Sequence, residues 1–489
     1  MSDQTLIAKT ATELHGLLQT EEISPLDLLD ALEDRIESVD GDVNAITTVC
    51  FQRARSAAEV VLSKPVAERG LLLGLPVAIK DLQPVAGVRS TWGSTIFSDF
   101  VPTGSDCVVE QVEANDGVIY AKTNTPEFGA GANTFNDVFG ATLNPWDTSK
   151  SCAGSSGGAA VALATGTAWL ASGSDLGGSL RNPASFCSIV GFRPSPGRVA
   201  HGAAQAGSYP SSLGSMPNDP FAITGPMARN VPDLALLMDA MVGLHRSDPL
   251  SMPREAASYR GAVAARKLPK RIAFSADFGV TPVDPEVAAI CARAAKRFED
   301  LGCIVEEAHP DFHDVEELFQ TYRAISYYVS KKGLLDSHRA ALKPEVVWNI
   351  ERAGSITMDD LQRAEIARAR YIARATAFFD NYDLLLSPAT IVPPYPIEER
   401  FVARCGEVEF DNYIEWCKIA YAITLTGFPA LSAPAGFTAS GLPVGLQIVA
   451  GPRGEADLLS AAAPYEEVAG LDALVPMTPR KTAQPMPNA

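Results

Sequence analysis

The chain has 489 residues, 46% of them hydrophobic and 20% charged, and its formal net charge is −18. That composition suits a globular protein with a large buried core and excludes a disordered chain. Acidity of this order repels phosphate backbones and anionic lipids, so neither a nucleic-acid partner nor a membrane is expected.

In chain order, the N-terminal "MSDQTLIAKTATELHG" lacks a basic segment followed by an apolar block, so it does not read as a signal peptide. No uninterrupted apolar run is long enough to span a bilayer, and a cytoplasmic location is expected. Residues 24–40 read as a helix: Ser24 caps it, Pro25 suits the first turn, and Leu28, Leu29, Leu32 and Ile36 share one face. "GLPVAIKD" (74–81) is a buried strand ending at Lys80 and Asp81. A helix (105–117) and a strand (118–124) follow. "GGAAVALATG" (157–166) is small and apolar all round, which predicts a helix buried on every face. "AWLASGSD" (168–175) is a second buried strand.

Residues 252–270 read as basic and irregular. A strand over 270–277, a helix over 284–302 and a strand over 303–309 come next. Residues 311–379 are helical and charged, like an insertion. Late strands return at 382–390, 430–436 and 442–451. Strands alternating with helices predict an α/β fold with a parallel or mixed sheet covered on both faces. Eight scattered cysteines form no C-x-x-C pair, so a zinc ribbon or dithiol site is not visible, and most are expected to be reduced and buried.

Two serine–glycine clusters carry the chemical signal, "SCAGSSGGAA" (151–160) and "SGSDLGGSLR" (172–181). Residues 154–158 fit G-x-S-x-G with Ser156 central. An α/β-hydrolase should also show an HGGG loop and a later acid and histidine. No HGGG occurs, and none of the six histidines has a catalytic setting. His309 and His313 have helix-like spacing, but "HPDFH" contains a proline and lacks the glutamate of a zinc motif, so no metal is expected. No serine has a lysine three residues on, which excludes the S-x-x-K arrangement.

A lysine becomes a base when burial disfavours its charged form. Lys80, at the end of an apolar run, is the best-placed candidate. The bland alternative is a strand-end lysine reaching to water and paired with Asp81. In "SDLGGSLRNPA", Gly177 and Gly178 leave the backbone before Ser179 unencumbered, so successive N–H groups can converge there as an oxyanion hole. In "GSSGG" the glycines permit unusual backbone angles around Ser155, which could join Lys80 to Ser179. The alternatives are a tight strand-to-helix turn or an anion cradle. A P-loop is disfavoured because no G-K-[ST] follows.

These segments resemble the amidase signature family. The resemblance rests on "GLPVAIKD", "AGSSGGAA" and "GSDLGGSLRNPA", with 24 positions from Ser155 to Ser179. It extends over "AKTNTPEFG", "GATLNPWD", "GPMARNVPDLALLMDAM", "GFPALSAPAGF" and "GLPVGLQIVAG", most of the chain. It implies one amidase signature domain over 1–489, with core motifs at about 70–245, a helical insertion at about 311–380 and C-terminal strands and helices at about 381–470. It also implies a triad of Ser179 as nucleophile, Ser155 on a non-proline cis peptide as relay, and Lys80 as base. The backbone N–H groups of Leu176, Gly177, Gly178 and Ser179 would form the oxyanion hole. Asp175 and Arg181 would brace the loop, and Ser156 would hydrogen-bond within the site.

The chain departs from the family pattern at Leu176 and at Cys152 and Ala153, positions that shape the pocket rather than react. The implied activity is hydrolysis of a small-molecule amide without metal or cofactor, and a homodimer is compatible with it. The alternatives are the glutaminase component of a tRNA-dependent amidotransferase, a hydrolase of carbamate, urea-type or cyclic amide bonds, and an inactive binding relative. Pocket walls are expected from 129–139, from 201–216 as a cover, and from the helices after Asp311.

Overall fold

The structure is a computed structural model, and residues 3–214 and 219–486 are described. Eleven strands form one sheet: β1 (Ile46–Val49), β2 (Pro76–Lys80), β3 (Val118–Thr123), β4 (Leu170–Asp175), β5 (Val190–Arg193), β6 (Ile223–Ala228), β7 (Arg271–Phe274), β8 (Ile304–Glu307), β9 (Leu384–Pro388), β10 (Ala430–Phe437) and β11 (Pro443–Ala450). Their spatial order is β1-β3-β2-β4-β6-β5-β10-β11-β9-β7-β8. The β3–β2–β4 run and the β9–β7–β8 run are parallel, and the other neighbours are antiparallel. This is the expected α/β architecture, a large mixed sheet covered by helices on both faces. Among the described residues, no helix is long and apolar enough to cross a membrane.

Local sequence accounts for the helices that frame the sheet. Helix α1 (Pro25–Val39) starts with a capping box: the Ser24 hydroxyl accepts from the Asp27 N–H, and the Asp27 carboxylate accepts from the Ser24 N–H at 2.7 Å. Helix α2 (Gly157–Thr165) is buried at every position, as its uniformly small, apolar composition requires. Helix α3 (Arg181–Cys187) is equally enclosed. Helix α4 (Pro285–Asp300) turns Val287, Ile290, Cys291, Ala294 and Phe298 to the sheet. Residues 311–379 fold largely into three helices, of which the first, α5 (Val315–His338), reaches the candidate site.

Several elements differ from expectation. Residues 252–270 are not wholly irregular, because Ser258 caps a short helix, Tyr259–Ala265. Strands β1, β5 and β6 gave no signal, being short or rich in glycine and proline. His309 and His313 lie in the loop before α5, where they bond locally to the Pro310 carbonyl and the Asp311 carboxylate.

The reason for the glycines around Ser155 also changes. Gly154, Gly157 and Gly158 do not adopt left-handed angles; the residue there that does is Ala153, with φ of 57°. These glycines permit close approach. A Cβ on Gly158 would stand 2.2 Å from the Asn124 nitrogen and 2.7 Å from the Ala45 oxygen, both backbone atoms unable to move aside. Gly158→Ala is therefore expected to destabilise the fold by about 1–3 kcal/mol or more, the range for overpacking a tight interior. Urea unfolding measures it, and an unchanged midpoint would refute the close packing of α2 on β3.

Candidate active site

Lys80 ends β2, whose five residues are all buried. Its side chain is fully enclosed, so it does not reach water. Nor does it pair with Asp81. The Asp81 carboxylate accepts instead from Lys122 Nζ at 3.0 Å and from the Thr91 hydroxyl at 2.6 Å. Lys80 Nζ is surrounded by hydroxyls: Ser155 Oγ at 2.8 Å, Ser156 Oγ at 2.8 Å and Ser174 Oγ at 3.0 Å. Burial pushes the amine well below its ordinary value, and the charge of Asp175 only partly opposes this. Ser174 was missed by sequence reasoning; its position beside Asp175 on β4, next to β2, was the available signal.

Ser155 precedes α2, and the Gly154–Ser155 peptide is cis. Ser156 sits at the start of α2. Its hydroxyl donates to the Ser174 carbonyl at 3.2 Å, and its N–H donates to the Ser179 carbonyl at 3.2 Å. These contacts tie both serine clusters to β4. Ser155 and Ser179 line one cavity of about 140 Å³. Among the described residues, however, no hydrogen bond joins their hydroxyls, and the half-buried Ser179 hydroxyl has no protein partner.

The loop between β4 and α3 is organised by Asp175. Its carboxylate accepts from the Gly178 N–H at 3.0 Å and the Leu180 N–H at 3.1 Å. It also takes a two-pronged contact from Arg181, Nε at 3.0 Å and Nη2 at 2.9 Å. Arg181 spends its remaining donors on the Ala420 carbonyl, Gln447 and Thr424. Arg193 on β5, also missed from sequence, bonds the Asp175 and Phe221 carbonyls. Burial would raise the Asp175 carboxyl, but Arg181 and Arg193 outweigh it and hold the group well below the usual carboxylate range. Burial, partly offset by Asp175, draws Arg193 down to about 10.

Because the Gly178 N–H is committed to Asp175, it is not a free donor. Among the described residues, the N–H groups of Leu176, Gly177 and Ser179 have no protein partner. Gly178 has φ of 101°, and a Cβ there would lie 2.4 Å from Asn182 Oδ1, so only glycine suits this turn.

The cavity is completed by Gly129 and Ala132, inside the 129–139 stretch expected to line it, and by α5 through Arg323, Ser326, Tyr327 and Lys331. No described residue of 201–214 lines it. That loop packs on the rest of the protein, with the Tyr209 hydroxyl donating to Asp106 at 2.7 Å and the Gly214 N–H to the Ser330 carbonyl at 2.9 Å. Residues 215 and 216 of the expected cover lie outside the described residues.

The family model "Amidase" fits residues 27–459. An acylamidase of Rhodococcus erythropolis is 34% identical over 475 residues, covering 96% of this chain and 97% of that one. A glutamyl-tRNA(Gln) amidotransferase subunit from Moorella thermoacetica is 34% identical over 485 residues, covering 94% and 96%. The crystal structure of a bacterial aryl acylamidase of the amidase signature family superposes with a TM-score of 0.85 at 27% identity, covering 95% and 98%. The chain belongs to the amidase signature family. It is accordingly an amidohydrolase, an enzyme of amide C–N bonds.

Breaking a buried ion pair leaves a charge without compensation and costs about 3–5 kcal/mol. Arg181→Met should therefore lower stability by about that much. Chemical denaturation followed by circular dichroism checks it; a loss under 1 kcal/mol (roughly that of an exposed pair) would show that Asp175 is held by other contacts.

Proposed function

We propose that the protein hydrolyses a carboxylic amide to a carboxylate and ammonia or an amine through an acyl-enzyme on Ser179. The observation that carries this reading is the fully buried Lys80 amine, 2.8 Å from Ser155 and without a carboxylate partner. A neutral amine has two N–H donors and one lone pair. The Ser156 hydroxyl gives its own proton to the Ser174 carbonyl, so Ser156 accepts from Lys80. With the second N–H on Ser174, the lone pair is left for the Ser155 proton.

Ser179 Oγ attacks the carbonyl carbon, and its proton passes through Ser155 to Lys80. Negative charge collects on the carbonyl oxygen, which the Leu176, Gly177 and Ser179 amides stabilise. The relay then delivers the proton to the departing nitrogen, the C–N bond breaks, and the amine leaves. Water attacks the Ser179 ester by the same relay in reverse and releases the carboxylate. Ser155 must approach Ser179 for this to occur; catalytic hydrogen bonds of this kind often tighten only around bound substrate. Asp175, Arg181 and Gly178 support the loop and do not react.

The glutaminase reading requires a site for the glutamine ammonium. Among the described residues, the only carboxylate lining the cavity is Asp175, already held by Arg181 and Arg193. This favours a small-molecule amidase.

Ser179→Ala should lower kcat/KM by at least about 10³-fold, and the acyl-enzyme adduct seen by mass spectrometry should vanish. Turnover retained by that variant would reject the nucleophile. Lys80→Met should lower activity by about 10²–10⁴-fold. Since burial lowers the Lys80 value, the amine is neutral above its folded value and gains a proton as pH falls through it. The acid limb of kcat/KM should report that protonation and be absent in Lys80→Met, and the same limb persisting in the variant would exclude Lys80 as the base.

A further inference from the structure

Among the described residues, two cations line the cavity without a carboxylate paired to them. Arg323 is 5% exposed, yet it forms no ion pair with any described residue. Its Nε donates to Asn349 at 3.0 Å and its Nη2 to the Tyr413 hydroxyl, and the guanidinium also donates to the Tyr327 hydroxyl. Aromatic faces surround it, with Tyr327 at 4.9 Å and Tyr413 at 5.5 Å from the guanidinium carbon. Lys331, two turns along α5, donates only to Ser330 and lies 4.6 Å from the Tyr327 ring. The one acid acting on Lys331 is Asp219, whose carboxylate already accepts from the Phe221 and Ala222 N–H groups and the Ser326 hydroxyl. Burial and the neighbouring Arg323 draw Lys331 down to about 8, as expected for a cation lacking a counterion. A buried cation is normally paired with an anion. Aromatic rings supply only part of that compensation.

We propose that the substrate is an amide that also bears a carboxylate, and that Arg323 and Lys331 bind this second group while Ser179 faces the amide. The inference rests on the hydrolytic reading for the identity of the reacting bond, but the anion site stands on its own geometry. Arg323 and Lys331 both line the cavity, so a carboxylate between them can turn one oxygen to each. A neutral amide would leave both cations unanswered. A zwitterion such as glutamine would bring an ammonium beside them.

The test compares purified wild-type protein on matched amides. One arm is the series of dicarboxylic acid monoamides from malonamate to adipamate, against unbranched alkanamides of equal length. The other is N-acetyl-β-alanine against N-propylacetamide, which places the carboxylate on the amine side. In one of these arms the charged member should be favoured by about 10- to 100-fold in kcat/KM, the scale of hydrogen bonds to a charged group. Lys331→Met, at a half-buried position, should narrow that ratio chiefly through KM, and Arg323→Lys should restore more of it than Arg323→Met.

Binding is measured separately by calorimetry on Ser179→Ala with glutarate and with the neutral pentanamide. Glutarate should bind at least tenfold more tightly. Equal binding, or turnover without preference for charge in either arm, overturns the anion site and leaves amide hydrolysis intact. Selective glutarate binding in a protein that turns over no amide keeps the anion site and overturns the hydrolytic reading.

Discussion

Water is kept from one amine, and the candidate site depends on that exclusion. Lys80 and Lys122 lie on adjacent parallel strands, each with a fully buried side chain. Lys122 reaches Asp81, a backbone carbonyl and the Ser90 hydroxyl, a set suited to an ammonium. Lys80 reaches three serine hydroxyls and no acid. Equal burial with different partners thus sets the two lysines apart, Lys122 against a carboxylate and Lys80 among hydroxyls. Three small side chains and close-packed glycines are what let the chain enclose Lys80, because a Cβ at Gly158 would drive α2 away from the backbone that follows β3, and one at Gly157 would strike the Thr134 and Cys152 side chains.

Asp175 performs the complementary task of fixing the backbone. Its carboxylate takes the Gly178 and Leu180 amides and the Arg181 fork, so the turn between β4 and α3 is rigid before any substrate arrives. Among the described residues, the neighbouring amides of Leu176, Gly177 and Ser179, three residues that line the cavity, are left without partners. Donors fixed in advance stabilise a developing oxyanion without reorganisation, and that is the role proposed for these amides. Arg193 secures the same aspartate from β5 and joins the turn to the centre of the sheet.

What could be read from sequence was local. The Ser24 cap, the all-round apolar α2, the strand ending at Lys80 and the two serine clusters are each contained in a few consecutive residues. Residues whose meaning lies in distant partners were not legible. Arg193 sits in an unremarkable "GFRP" segment, and its link to Asp175 appears only when β5 docks. Asp81 follows Lys80 directly, yet pairs with a lysine 41 residues away. The glycines around Ser155 suggest special angles, because sequence does not reveal which atoms a Cβ there would strike. The oxyanion-hole candidates were counted as four, because the donation of Gly178 to Asp175 is a three-dimensional fact.

The charge distribution links the site to the whole molecule. A chain of net charge −18 repels anions at long range, whereas two unpaired cations inside the cavity attract them at contact. The two effects act over different distances. Exposed charges are screened within about 8 Å at physiological ionic strength, while Arg323 and Lys331, packed against the Tyr327 ring, are screened less. Approach is therefore unassisted by electrostatics, and recognition is decided after entry. Anions too large for the cavity gain nothing from it and meet only the acidic exterior, so the acidic surface and the cationic interior select together for small carboxylates.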